Sequence, residues 1–242
     1  MVELSWWIVI KHAVLVETSS TGATGASSPR GVSGSSLVDR GVDGIDAYLD
    51  RLASADPTPG GGSAATLVGA MGAALCAMVA RITSANERYA QVHEAALRVV
   101  AGADALRDRF QAARPLDEAA YGRVVEASAL PKASEADKRH RTATLQAALI
   151  AAAEAPLAVA GLCAEGIALA DRANALENTH LASDVECALH FLRAALAASI
   201  ANVRINHRFI KDPETVRVQD ERLIAIVNEA HVTLERLLPR LP

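Results

Sequence analysis

From Gly41 to the end of the chain, apolar residues recur every three or four positions, the spacing of helices that bury one face, and the period-two alternation of strands is almost absent. This pattern predicts helices over Asp43–Ala53, Ser63–Thr83, Tyr89–Ala112 and Asp117–Ala129; the third carries Val92, Ala96, Val99, Val100 and Leu106 on one stripe. Ser134 and Asp137 have the spacing of a capping box, so a helix is expected from there through Ala153 to a break at Pro156, followed by Leu157–Leu176. Ser183 is expected to cap a helix reaching Asn206, and Pro213 to stand in the first turn of a last helix ending near Leu238. The expected fold is all-α, a single bundle-like domain of seven or eight helices over residues 42–242. Residues 1–41 differ. Glu17–Arg40 is dominated by Ser, Gly and Thr, which bury too little apolar surface to offset the entropy of ordering, so a poorly ordered extension is expected. Leu4–Val16 is apolar but holds Lys11 and His12, unlike the clean core of a signal peptide.

Composition narrows the picture. With 51% hydrophobic residues but only 3% aromatics in 242 residues, the core must be built from Ala, Leu and Val, which suits closely packed helices. A net charge of -4 supplies no basic field for nucleic acid. Cys76, Cys163 and Cys187 lie far apart without metal-ligand spacing and are expected as buried free thiols in a reducing cytoplasm. Ala64–Ala80 is apolar throughout and near the lower length limit for a membrane span. Its alanines and glycines make it weakly hydrophobic, and Gly69 and Gly72 would admit another helix very close. A buried or interface helix is expected, with no second candidate span and no membrane partner.

Candidate chemistry begins at Pro57-Thr58-Pro59-Gly60-Gly61-Gly62-Ser63. Prolines fix the approach, glycines allow backbone angles closed to other residues, and Ser63 is expected to cap the helix, leaving first-turn amides for an anionic or carbonyl-bearing ligand. The same loop also reads as a turn that lets two helices approach. Of 24 basic side chains only Lys11, Lys132, Lys138 and Lys211 are lysine; Lys132, at a helix break after Leu130-Pro131, reads either as a compact titrating cation or as a solvated loop residue. Asp184 falls in the first turn of its helix, where the dipole stabilises its charge; helix capping alone would also account for it. Asn202 and Asn206 stand four apart on one helical face and need partners if buried. Glu177 and His180 have the ExxH spacing of di-iron bundles, with Asp137 and His140 as a loose second copy, but the second lies among Lys138, Arg139 and Arg141, and no metal is expected.

Taken in order, PTPGGGSAA, Arg81-Ile82-Thr83, Asp117-Glu-Ala-Ala-Tyr121, Leu130-Pro131-Lys132, Ala155-Pro156-Leu157, Asn178 with Ser183-Asp184, Asn202-Val203-Arg204-Ile205-Asn206 and Lys211-Asp212 resemble the cyclodeaminase/cyclohydrolase family over about Asp43 to Leu238. The resemblance implies an all-helical homodimer that binds a reduced folate. It would either close 5-formiminotetrahydrofolate to 5,10-methenyltetrahydrofolate with loss of ammonia, or hydrolyse the methenyl form to 10-formyltetrahydrofolate, without a metal or redox cofactor. It further implies that Pro59, Gly60, Gly61, Gly62 and Ser63 receive the folate, that Asp117, Lys132 and Asp184 serve acid/base or charge-stabilising roles, and that Asn178, Asn202 and Asn206 orient substrate or support the site. The alternative is a non-catalytic folate-binding or scaffold protein of the same fold. The chain departs from the family pattern at Glu177, where Gly is usual, and at Ala85-Asn86-Glu87-Arg88, where the cyclohydrolases carry lysines.

Overall fold

The computed structural model describes residues 44–238; the expectation for residues 1–41 lies outside them. The described residues fall into two units, one ending at Thr58 and one starting at Pro59. The first contains helix α1 (Ile45–Leu52). The second contains α2 (Gly61–Ser84), α3 (His93–Ala129), α4 (Glu135–Asn174), α5 (Ala182–His207) and α6 (Pro213–Leu237), with short 3-10 turns at Glu87–Val92 and Thr179–Leu181. All regular elements among the described residues are helical, as the periodicity predicts.

Helix α2 is the centre of the larger unit. It packs against α3, α5 and α4. Its glycines set the spacing: a Cβ on Gly69 would stand 2.5 Å from the Phe110 ring of α3, and one on Gly72 would stand 2.7 Å from Leu192 and 3.1 Å from the Ala188 carbonyl of α5. Small residues on α2 therefore admit large ones from both flanks. Successive contacts of α2 with α3 run Gly62–Asp117, Gly69–Phe110, Arg81–Asp104, and those with α5 run Gly61–Asn202, Gly72–Leu192, so both neighbours lie antiparallel to it.

Several helix boundaries differ from expectation. The helices split in the reading at Ala112/Asp117 and at Pro156 are continuous, which leaves six α-helices among the described residues. Pro115 leaves the carbonyl of Gln111 without its usual donor, but Gln111 is exposed and water can replace it. Pro156 does the same to the buried Ala152, and here a side chain answers: Asn206 Nδ2 of α5 donates to the Ala152 carbonyl at 3.1 Å. Ser183 is not a cap. The 3-10 turn opened by the Leu181 amide on the Asn178 carbonyl runs straight into α5, whose N-cap is Leu181. The capping box of Ser134 and Asp137 and the position of Pro213 at the start of α6 are as expected.

Cys76 and Cys163 are buried free thiols, and burial pushes both up to about 12. Cys187 is exposed, contrary to expectation, because α5 turns Val185, Ala188 and Leu189 inward and leaves position 187 outside. The expectation of one span-like segment is also corrected. Gly61–Ser84, Glu135–Asn174 and Thr179–His207 are each long and apolar enough to cross a membrane by length and composition. Continuity through Pro156 makes the second so long, and in the first two 61% of the apolar stretch is buried within the protein.

Candidate active site

Helix α2 begins one turn earlier than expected. Gly60 is its N-cap, and Ser63 lies inside the first turn. The Ala64 amide bonds back to the Gly60 carbonyl at 3.0 Å. Helix geometry leaves the amides of Gly61, Gly62 and Ser63 without acceptors in their own helix. The Ser63 hydroxyl, freed from capping, donates to Glu118 Oε1 at 2.8 Å, and the Ser63 backbone amide donates to the Asp117 carboxylate. Two consecutive acidic residues of α3 thus close on one serine at the positive end of α2.

Asp117 is pressed against the backbone. A Cβ on Gly62 would lie 2.3 Å from Asp117 Oδ1 and 2.5 Å from its Cγ, so any larger residue there would displace the carboxylate. Burial and then the neighbouring Glu118 raise the Asp117 carboxyl above its usual range, opposed by the Ser63 amide. One turn further, Tyr121 shares the face of Asp117, and burial raises its phenol as well. From the other side Asn202 stands against Gly61, its side-chain amide 3.6 Å from where a Cβ would be. Asn202 Nδ2 bonds the Ala198 carbonyl at 2.8 Å, and Asn206 Nδ2 bonds the Asn202 carbonyl at 2.9 Å as well as Ala152. Asn206 is thus a support that secures α5 to α4 beneath the site.

The remaining predicted residues lie elsewhere in the same chain. Asn178 is at the far end of α2, where its Oδ1 accepts from the Tyr89 hydroxyl at 3.1 Å and its Nδ2 donates to Thr83 Oγ1 at 3.0 Å. The Thr83 hydroxyl in turn donates to the Val79 carbonyl at 2.7 Å. Gly62 and Thr83 are separated by about 30 Å of helix. Asp184, half-buried in the first turn of α5, is about 27 Å along that helix from Asn202. Lys132 is exposed in the loop after α3, about 18 Å of helix beyond Asp117. The structure therefore gathers Pro59–Ser63, Asp117, Asn202 and Asn206 into one site and leaves Lys132, Asn178 and Asp184 outside it within one chain.

Sequence reasoning missed Glu118, Tyr121, Tyr89 and Thr83. Tyr121 was legible in principle, since it stands four residues after Asp117 on one helical face. The departure at Glu177 now has a geometry. Its φ is +55°, the left-handed conformation in which glycine is at ease, so the turn before Asn178 is kept at a cost of roughly 1–2 kcal/mol. Among the described residues, no three His, Cys, Asp or Glu side chains converge as a metal set.

Residues 44–223 match the family model described as formiminotransferase-cyclodeaminase. The chain is 34% identical over 197 residues to a methenyltetrahydrofolate cyclohydrolase of Methylorubrum extorquens, covering 81% of this chain and 95% of that one. It is 27% identical over 194 residues to a formimidoyltransferase-cyclodeaminase of Sus scrofa, covering 80% of this chain but 36% of the longer protein. Among solved structures, a formiminotetrahydrofolate cyclodeaminase of Thermotoga maritima superposes with a TM-score of 0.73 at 28% identity, covering 80% of this chain and 93% of that one.

Proposed function

The chain belongs to the formiminotransferase-cyclodeaminase family, and on that footing we propose that it is a methenyltetrahydrofolate cyclohydrolase. The observation that carries this reading is Asp117: a carboxyl with raised proton affinity, held by the Ser63 amide at the start of α2 and packed directly against Gly62. A carboxyl so placed is poised to take a proton from water and return it, work worth roughly 10² to 10⁴ in rate.

In this reading water adds to the methenyl carbon between N5 and N10, and Asp117 removes the proton as the C–O bond forms. The tetrahedral carbinol then opens by cleavage of its bond to N5. The electron pair of that bond returns to N5, which takes up the proton held by Asp117, while the hydroxyl proton leaves to solvent and the oxygen becomes the formyl carbonyl on N10. The amides of Gly61 and Gly62, which have no acceptor within their own helix, stabilise the developing oxygen charge. Asn202 orients the ring from the α5 side. A shallow groove of about 340 Å³ lined by Lys138, Arg139, Thr142, Ala143 and Gln146 offers cations to an anionic glutamyl tail.

A second reading, ring closure with loss of ammonia, is favoured by the structural likeness to a formiminotetrahydrofolate cyclodeaminase. One assay separates the two. Accelerated loss of the methenyl absorbance supports hydrolysis, and its appearance from 5-formiminotetrahydrofolate supports cyclodeamination. No change above background with either folate would overturn both, and would leave the non-catalytic alternative.

A further inference from the structure

Resting on the reading of Asp117 as the base in the hydrolysis proposed above, we infer that Glu118 is a positioning residue for it, acting on Asp117 through the serine that both carboxylates share and through its own negative charge. Adjacent residues of a helix point about 100° apart and do not ordinarily face one partner. Asp117 and Glu118 do so because Ser63 lies between them, its hydroxyl donating to Glu118 Oε1 at 2.8 Å and its backbone amide to the Asp117 carboxylate. Ser63 is fully buried, and its carbonyl accepts from the Thr66 hydroxyl at 2.6 Å, so this fork is fixed in place.

Few charges bear on Asp117. Within one turn of it on α3 the charged or titratable groups are Arg114, Glu118 and Tyr121, and it is the charge of Glu118 that adds to burial in disfavouring the ionised carboxyl. Helix α2 carries no charged side chain before Arg81, and α5 presents Asn202 here. From α4, Ala148, Leu149, Ala152 and Ala153 share an apolar cluster with Ala120. Glu118 therefore does two separable things: it anchors the serine that holds Asp117, and it makes Asp117 a stronger base than an isolated aspartate.

The test compares Glu118→Gln, which keeps an oxygen for the Ser63 hydroxyl but removes the charge, with Glu118→Ala, which removes both. Only ionised Asp117 can take a proton, so kcat/KM falls on acidification. Without the Glu118 charge Asp117 stays ionised to lower pH, and the ratio of Glu118→Gln to wild-type kcat/KM in the methenyl assay should rise as pH falls. On the plateau above that fall, Glu118→Gln should lose less than about tenfold in kcat, as a weaker but well-placed base. Glu118→Ala should lose about 10²-fold, because Asp117 is also displaced. A ratio that does not change with pH, or equal plateau rates in the two variants, overturns the assignment. Melting temperatures give a readout without folate and show that each variant folds. The rise produced by Asp117→Asn at neutral pH should be smaller in a Glu118→Gln background, since less repulsion is then relieved, and an equal rise in both backgrounds overturns the action of Glu118 on Asp117. A wild-type chain inactive on both folates refutes the proposed reaction, and the melts then decide the effect of Glu118 on Asp117 by themselves.

Discussion

The two ends of α2 handle polar groups in opposite ways. At the Thr83 end, Tyr89, Asn178, Thr83 and the Val79 carbonyl form a closed run of hydrogen bonds. At the glycine end, Asp117 and Glu118 converge on one serine, and a carboxyl is held with its charge disfavoured. The first arrangement fixes a backbone. The second stores electrostatic free energy that a substrate can release, and the contrast separates a region that holds the fold from one suited to chemistry.

The largest expected effect comes from Asp117→Asn, which should lower turnover by about 10² to 10⁴. The same change should raise the melting temperature at neutral pH. The Asp117 carboxyl lies above its unfolded value, so its contribution to stability is full below that value and is lost as pH rises toward the folded one. Melts of both proteins across that window should diverge as pH rises; a variant less stable than wild type at neutral pH would mean that Asp117 belongs to the structural kind of end. Gly62→Ala comes next. Its Cβ would collide with the Asp117 carboxylate, and the shifted carboxyl should cost about 10²-fold in rate, read in the methenyl assay.

Asn206→Ala sharpens the comparison, since this residue stands at the glycine end but is bonded as at the other. It should destabilise by about 1–3 kcal/mol by orphaning the Ala152 carbonyl, and by clearly less when Pro156→Ala restores the helix's own donor. Denaturant melts of the four proteins measure that coupling. The smallest effect is expected from Glu177→Gly, a gain of about 1 kcal/mol or less as the left-handed strain is relieved, visible as a rise in melting temperature.

Helix periodicity was readable throughout, because one buried face imposes it locally. The merging of helices at Pro156 was not, because its cause is Asn206, fifty residues away and supplied only by folding. Ser63 misled for a similar reason: locally a serine before an alanine run is a cap, but the tertiary partner Glu118 takes its hydroxyl. The family was legible from the order of its motifs, and the left-handed turn at Glu177 from the glycine that the family usually places there. Which motifs share a site was hidden, since order along the chain says nothing of which helix ends become neighbours.

Because α2 touches a different functional group at each end, its length acts as a ruler with an angular scale. Removing one residue from its middle would shorten it by about 1.5 Å and turn one end by about 100° against the other. Gly62 and Thr83 could not then both keep their partners. Insertions and deletions should therefore be tolerated in the loops around Lys132 and Lys211, while over the course of evolution the number of residues between Gly61 and Ser84 stays constant.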